Sequence, residues 1–119
     1  MVMIGIDPHK RTHTAVAVDD DEAVLSELLV HARPSQALEL VAWADTLDRA
    51  SRIWAIESAG GLGYLLAQQL LAAGEHVVDI PATLASRVRL LGTGRSDKND
   101  PNDARSVAIA ALHAPTLVA

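Results

Sequence analysis

The first part of the chain carries short apolar runs separated by only a few residues. Val2 to Asp7 is rich in β-branched residues and is followed by Pro8, which indicates a buried strand. Residues 12–19 alternate between polar and apolar positions, and a further apolar run at 23–31 follows an acidic turn. Connections this short leave no room for crossovers, so we predict three strands in an antiparallel meander.

The hydrophobic period lengthens to that of a helix after Arg33. The first helix is predicted to have on its apolar side Leu38, Val41, Ala42, Ala44 and Leu47. The second helix is predicted to have on its apolar side Leu62, Leu65, Leu66, Gln69 and Leu70. The predicted elements of this part are a helix at 34–49, a strand at 53–57, a helix ending at Gly74, a strand at 76–80, a helix at 82–91, a polar loop at 92–99 and a helix at 103–112.

This order, βββαβαβ followed by helices, predicts a mixed five-stranded sheet. Right-handed crossovers would place the fourth and fifth strands parallel to the first, with helices on the faces of the sheet. The arrangement is typical of the RNase H-like fold. A chain of 119 residues is long enough for one domain of this kind and too short for two, so we assign residues 1–119 to a single α/β domain.

Composition narrows the range of possible chemistry. Half of the residues are hydrophobic, which predicts a folded globular protein. Cysteine is absent, which excludes disulfides, thiolate metal sites and a cysteine nucleophile. No apolar run approaches ~20 residues and no charged leader precedes the first strand, so we expect a cytoplasmic protein with no membrane partner.

The charge distribution is uneven. The net charge is −5, whereas a protein that binds nucleic acid normally presents a basic face. Positive charge is nevertheless concentrated between residues 81 and 105. Two interpretations remain open, nucleic-acid contacts or ordinary solvated side chains. The candidate contact residues are Lys10, Arg87, Arg89, Arg95, Lys98 and Arg105.

Four carboxylates are candidates for one metal site. Asp7 ends the first strand and Glu57 ends the fourth, while Asp100 and Asp103 lie three residues apart at the start of the last helix. Two carboxylates ~4 Å apart repel by about 4 kcal/mol at an effective dielectric near 20, so such a cluster requires cations. Oxygen ligands select Mg²⁺ or Mn²⁺. Taken singly, each could instead cap a turn or helix.

Three segments resemble the motifs of the DEDD insertion-sequence transposases, the insertion sequence 110 group, which is related to pilin-gene inverting recombinases. They are Ile4-Gly-Ile-Asp-Pro-His-Lys10, Ile56-Glu-Ser-Ala-Gly60 and Lys98-Asn-Asp-Pro-Asn-Asp-Ala104. The three occur in order and span nearly the whole chain. Asp97 also lies in the third motif and is an alternative to Asp100, although the spacing of Asp100 to Asp103 matches the motif better.

The resemblance implies a RuvC-like domain with Mg²⁺ (or Mn²⁺) held by Asp7, Glu57, Asp100 and Asp103. It implies DNA transposition or site-specific recombination, directed by a structured guide (bridge) RNA, with a homodimer or tetramer as the active form. It also implies a second, C-terminal domain that carries a serine nucleophile. That domain is absent from residues 1–119, so we expect the fragment to be incomplete for recombination.

Three other functions remain as alternatives. A stand-alone Holliday-junction resolvase or nuclease would cleave branched DNA without a serine domain. A phosphate-binding domain of the actin or sugar-kinase type also begins with Gly-Ile-Asp, but Pro8-His9 does not fit its usual continuation. A non-catalytic dimerisation scaffold would bind guide RNA through residues 87–105.

Two further interpretations concern single residues. His9 and His13 are too far apart on an extended segment to form a ligand pair, and both side chains are expected to be exposed. Ser58 has no neighbouring base in the sequence, so a role in the turn after Glu57 is favoured over a role as nucleophile.

Overall fold

The computed structural model of the protein describes residues 1–82, 85 and 100–114, with residues 100 and 101 described by their backbone alone. The strands are β1 Val2–Pro8, β2 Thr12–Val18, β3 Val24–His31, β4 Arg52–Glu57 and β5 Val77–Ile80. The helices are α1 Gln36–Asp45, α2 Tyr64–Ala72 and α3 Asp100–Leu112. None of these helices has the length and apolar character needed to span a bilayer.

The strands form one sheet in the order β3-β2-β1-β4-β5. β1, β2 and β3 are joined by antiparallel pairing, while β4 lies parallel to β1 and β5 lies parallel to β4. The predicted mixed five-stranded sheet is confirmed. The carboxyl ends of β1, β4 and β5 therefore meet at one edge, where open sheets of this kind form their sites.

Two helix boundaries differ from the prediction. α1 ends at Asp45 and not near residue 49, because the Asp48 carboxylate accepts hydrogen bonds from the backbone N–H groups of Ala50 and Ser51 and closes a turn. α3 begins at Asp100, three residues before the predicted start. The predicted helix at 82–91 and polar loop at 92–99 lie outside the described residues, apart from the helical residues 82 and 85.

The sheet carries a separate apolar layer on each face. α1 and α2 cover one face, where Trp54 and Leu40 are fully buried. α3 covers the other, where Val16 and Val107 are fully buried. Adjacent residues of β1 contribute to opposite layers, as the alternation of side chains along a strand requires.

The buried faces of α1 and α2 were predicted correctly only in part. Leu38 is 75% exposed and Leu65 is 61% exposed, contrary to the prediction. The predicted Leu66 and Leu70 of α2 are buried, whereas α1 buries Leu40, which was not predicted. Both helices carry leucine or alanine on every side, so their hydrophobic period does not determine which side faces the sheet.

α3 packs directly against the backbone of β1 at Gly5. A β-carbon on Gly5 would lie 2.6 Å from the backbone nitrogen of Ala108 and closer still to the carbonyl oxygen of Ala104. Only glycine permits this approach. Ala104 and Ala108 are one helical turn apart, so the contact joins the small-residue face of α3 to the centre of the sheet.

The direction of α3 follows from its two ends. The His113 imidazole, just beyond the helix, donates from Nε2 to Glu22 Oε2 at 2.9 Å, and Glu22 lies in the turn between β2 and β3. That turn is at the edge where β1 begins. The C-terminus of α3 is therefore near the start of β1, and its N-terminus is near the end of β1.

An ion-pair network stabilises the edge of the sheet where β1 and β4 begin, opposite the edge formed by their carboxyl ends. Arg52 at the start of β4 donates to Asp45 at 2.7 Å and to Glu75 at 2.8 Å, and its side chain is only 8% exposed. The Trp54 indole N–H donates to the same Glu75 oxygen at 2.7 Å. The network joins the end of α1, the start of β4 and the loop before β5.

Substituting alanine at Gly5 tests the close packing of α3. The added β-carbon meets helix backbone, which cannot move aside locally, so Gly5→Ala is expected to destabilise the fold by about 3 kcal/mol or more. Gly60→Ala is the matched control, because a β-carbon at Gly60 would meet nothing within 4 Å. Urea denaturation measures both, and equal stabilities for the two variants would contradict the packing described.

The Glu75 network predicts a specific pH dependence. The hydrogen bond from Arg52 holds the pKa of the Glu75 carboxyl below its ordinary value. The resulting stability is fully present above the unfolded pKa and is lost as pH falls through the folded pKa. Glu75→Gln is expected to cost about 1–2 kcal/mol at pH 7, because the side chain is part-buried and the pair is partly screened.

The Glu75→Gln variant should also lose less stability than wild type between pH 6 and pH 3. The comparison with wild type is needed because the half-buried Glu39 carboxyl, whose pKa the Arg33 hydrogen bond lowers to about 2, titrates in the same direction in both proteins. Urea midpoints measured across this pH range provide the readout. Parallel curves for the two proteins would show that Glu75 contributes no titrating stability.

Candidate metal centre

Asp7 and Glu57 occupy equivalent positions at the ends of neighbouring parallel strands. Ile6 pairs with Ile56, so the two acidic residues are next in register at the carboxyl ends of β1 and β4, whose axes lie about 5 Å apart. By strand alternation, Asp7 shares the face of Gly5, which α3 covers. Glu57 shares the face of Ala55, in the same layer. We call this end of the sheet the carboxylate edge.

The Asp7 side chain is held between the strand and the turn that follows it. Its side chain is 9% exposed, and its Oδ2 accepts a hydrogen bond from His9 Nε2 at 2.9 Å. His9 is itself 45% exposed, as predicted. A carboxylate this deeply buried requires such a donor. The contact fixes one oxygen of Asp7 and restricts rotation of the carboxylate.

The chain leaves Glu57 through a strained turn. Ser58 has φ of 51°, in the left-handed region that non-glycine residues seldom adopt. Its backbone N–H donates to the Ile80 carbonyl, and the Ala59 N–H donates to Asp79 Oδ1 at 2.7 Å. These contacts tie the turn to β5 and set the direction in which Glu57 leaves the sheet. Ser58 therefore shapes this turn, which agrees with the role favoured from the sequence.

The first turn of α3 approaches the same edge. Ala104 contacts Gly5, two residues before Asp7 on the same face, and the half-buried Asp103 immediately precedes Ala104. The backbone of Asp100 begins the helix, but its side chain lies outside the described residues. Within residues 1–82, 85 and 100–114, no three acidic or histidine side chains are close enough to enclose a metal ion.

The donor chemistry at this edge fits a hard divalent cation. The described acidic groups are carboxylates carried by three separate elements, two of them in register on adjacent strands. Carboxylate oxygens in a chain that has no cysteine favour Mg²⁺ or Mn²⁺. Mg²⁺ keeps several waters and needs only one or two protein carboxylates, so an open arrangement is compatible with its binding.

The predicted nucleic-acid contacts are only partly described. Lys10 is exposed in the turn after β1, next to His9, and Arg105 is half-buried on α3. Both lie within a few residues of a candidate ligand. The other predicted contacts, Arg87, Arg89, Arg95 and Lys98, lie outside the described residues, as does the alternative ligand Asp97.

The expectation that His13 is exposed was wrong. His13 is only 3% exposed, and its Nε2 atom donates a hydrogen bond to Gln36 Oε1 at 3.0 Å. Burial lowers the pKa of the His13 imidazole, so the neutral form is favoured. Gln36, also 3% exposed, donates in turn to Gln69 Oε1 at 2.8 Å. The partners are 23 and 33 residues apart, so no local pattern in the sequence signals them.

Asp79 is a second residue that the sequence interpretation overlooked. It is an exposed acidic residue within the otherwise buried strand β5, and it anchors the turn after Glu57 through Ala59. A lone carboxylate in a Val-Val-Asp-Ile strand was the available signal.

Comparison with known sequences identifies relatives among insertion elements. The model of the DEDD transposase family of the IS110 group, described as "Transposase", matches residues 4–119. The 44.8 kDa protein of insertion element IS116 from Streptomyces clavuligerus is 35% identical over 107 residues, which are 90% of this chain and 26% of that protein. The 42 kDa protein of IS900 from Mycobacterium paratuberculosis is 32% identical over 102 residues. The chain thus spans about a quarter of these curated relatives.

Comparison with solved structures identifies the fold. Thermus thermophilus RuvC, solved in complex with a Holliday junction substrate, superposes with a TM-score of 0.67 over 98% of this chain and 96% of that one, at 16% identity. A second structure of Thermus thermophilus RuvC gives a TM-score of 0.64. The architecture is therefore the RuvC type of RNase H-like fold, as predicted.

The strained turn after Glu57 can be tested at Ser58. Glycine adopts positive φ without steric cost, so Ser58→Gly is expected to stabilise the fold by up to about 1 kcal/mol. Ser51→Gly is the matched control at a loop serine without positive φ, where added backbone freedom should destabilise by about 0.5–1 kcal/mol. Urea denaturation distinguishes them, and destabilisation by both substitutions would argue against strain at Ser58.

Proposed function

Because the chain belongs to the DEDD transposase family of insertion elements, we propose that it is the domain of a transposase that processes DNA strands with divalent metal ions. The observation that carries this proposal is the position of Asp7 and Glu57, each one residue beyond the Ile6–Ile56 pair at the ends of adjacent parallel strands, on the face that α3 covers. Neither carboxylate contributes to the apolar core, and the edge they share is where α/β sheets bind ligands.

The proposed ligands are Asp7, Glu57, Asp100 and Asp103, and the proposed ions are Mg²⁺ or Mn²⁺. The register of β1 and β4 supports the first two, and the direction of α3 supports the last two. When bound, such ions activate the attacking oxygen and stabilise the leaving oxygen of a phosphodiester. Asp97 remains the alternative to Asp100.

The side chains around the ligands have separable roles. His9 donates to Oδ2 of Asp7, which restricts rotation of the carboxylate. The turn at Ser58 constrains Glu57 through the backbone. Lys10 and Arg105 supply positive charge beside the edge, where they would neutralise phosphates of a bound strand, together with Arg87, Arg89, Arg95 and Lys98.

The complete protein is proposed to do more than this domain. A structured guide RNA, a homodimer or tetramer as the active form and a serine nucleophile in a C-terminal domain all follow from the family resemblance. The curated relatives are about four times longer than the matched segment, which leaves room for such a domain. Cleavage of branched DNA by residues 1–119 alone would favour the resolvase-type alternative instead.

Substitution of Asp7 tests the metal site. At ten times the Kd for Mn²⁺, the wild-type melting temperature should rise by about 4–7 °C, because a ligand that binds only the folded state stabilises it. Asp7→Asn removes one charged ligand and should abolish most of this rise. Asp20→Asn is the control, since Asp20 is an exposed carboxylate in the turn at the opposite edge.

The measurement is a thermal melt of each variant with and without metal, so that any change in intrinsic stability cancels. An equal metal-induced shift in wild type and Asp7→Asn would refute the assignment. Anomalous scattering from a Mn²⁺-soaked crystal gives an independent check, because the peak should lie between Asp7 and Glu57.

A further inference from the structure

A cleft opens beside the carboxylate edge, on the face of the sheet that α1 and α2 cover. Its volume is about 410 Å³, and its lining includes His9, His13, Pro34, Gln36, Leu65 and Gln69. We call it the α2 cleft. It is large enough for one nucleotide.

The floor of the α2 cleft is a row of hydrogen-bonded polar side chains. His13, Gln36 and Gln69 are joined in sequence by bonds of 3.0 Å and 2.8 Å. The side-chain carbonyl oxygen of Gln69 accepts the hydrogen bond from Gln36. The side-chain NH₂ group of the half-buried Gln69 is then the donor at the end of the row. The Nδ1 atom of His13 is buried and makes no hydrogen bond within the described part of the chain. Buried polar atoms usually have partners, so this atom is an unused acceptor.

The sides of the α2 cleft are apolar and remain exposed. Leu62 and Leu65 are each 61% exposed, and Pro34 faces them from the segment between β3 and α1. Apolar walls around a few amide groups match the shape and chemistry of a nucleobase, which has two apolar faces and a polar edge. Glutamine side chains provide the paired donor and acceptor that base edges recognise.

The α2 cleft adjoins the carboxylate edge through His9. This imidazole contacts Asp7 and also lines the cleft, and exposed Lys10 stands beside it at the opening. Arg33 at the same opening is already engaged by Glu39 through two hydrogen bonds. Of the two described cations that line the cleft, Lys10 is thus the one better placed to meet a phosphate that enters with a base.

We propose that the α2 cleft binds one unstacked nucleobase of the strand whose backbone crosses the carboxylate edge. Leu62 and Leu65 contact the faces of the base, Gln69 contacts its polar edge, and Lys10 contacts the adjoining phosphate. The inference rests on the proposed function, since it requires a nucleic-acid strand at that edge. The base can belong to DNA or to RNA.

The test compares strands that carry the same phosphates with and without bases. Fluorescence anisotropy is measured in EDTA with labelled eight-nucleotide thymidine and uridine strands and, for each of them, the abasic strand with the same sugar. Intact thymidine or uridine strand should bind roughly tenfold more tightly than the abasic strand. The arm with the larger preference identifies whether DNA or RNA supplies the base.

Leu65→Gln localises the preference to the α2 cleft. The substitution adds no charge at a position that is 61% exposed, so the fold should be retained. It should reduce base-dependent affinity roughly three- to tenfold. Leu71→Gln is the matched control on the same helix, because Leu71 is 46% exposed and does not line the cleft.

NMR titration of the wild-type protein with dTMP gives a second measurement of binding at the α2 cleft. The nucleotide should shift the side-chain amide signals of Gln36 and Gln69.

Two outcomes would overturn the inference. Equal binding of intact and abasic strands would show that only phosphates are recognised, which removes the base site but leaves the proposed function standing. A Leu65→Gln variant that keeps its base preference but changes sedimentation behaviour would show that the α2 cleft is a protein interface. Failure of the metal-dependent melting shift, by contrast, would count against the proposed function itself.

Discussion

The arrangement of this domain depends on how closely α3 approaches β1. A helix ordinarily packs about 10 Å from a sheet, with side chains filling the gap. Here Gly5 provides no side chain, and Ala104 and Ala108 provide only methyl groups, so the helix backbone rests on the strand. The approach brings the helix residues just before Ala104 to the end of β1, where Asp7 lies. Apolar packing at the centre of the sheet thereby positions acidic groups at its edge.

The two ends of the parallel strands carry different groups. Stabilising ion pairs lie at the amino-terminal ends, and the candidate metal ligands lie at the carboxyl ends. At the amino-terminal edge of β4, Arg52 neutralises Asp45 and Glu75, and the Trp54 indole completes the set of hydrogen bonds. At the carboxyl-terminal edge, Asp7 and Glu57 lie at neighbouring strand ends, where His9 donates to Asp7 and the Ala59 N–H donates to Asp79. Like charges held together cost stability unless a cation binds. The ion pairs of Arg52 at the amino-terminal ends of the strands keep the strands in register despite the repulsion between carboxylates at the other end.

Sequence reasoning succeeded where the determining information was local. The positions of Asp7 and Glu57 followed from where apolar runs end, and the strand order followed from connection lengths. It failed where several solutions satisfied the same pattern. The leucines of α1 and α2 occur on all sides, so the exposure of Leu38 and Leu65 was decided by tertiary packing. The burial of His13 depends on Gln36, 23 residues away, which no spacing rule could have paired with it.

His9 connects the two faces of the domain. β1 places Asp7 on the face covered by α3, whereas the α2 cleft opens on the other face, and the imidazole reaches both from the turn beyond the strand. A strand of nucleic acid that crosses the ends of β1 and β4 would therefore meet carboxylates on one side and amide groups on the other. Its phosphates are highly charged and its bases are largely apolar, so these two environments suit different parts of one nucleotide. The sheet itself separates the two environments, so a cation bound at the carboxylate edge would lie on the far side of the sheet from the apolar walls of the cleft.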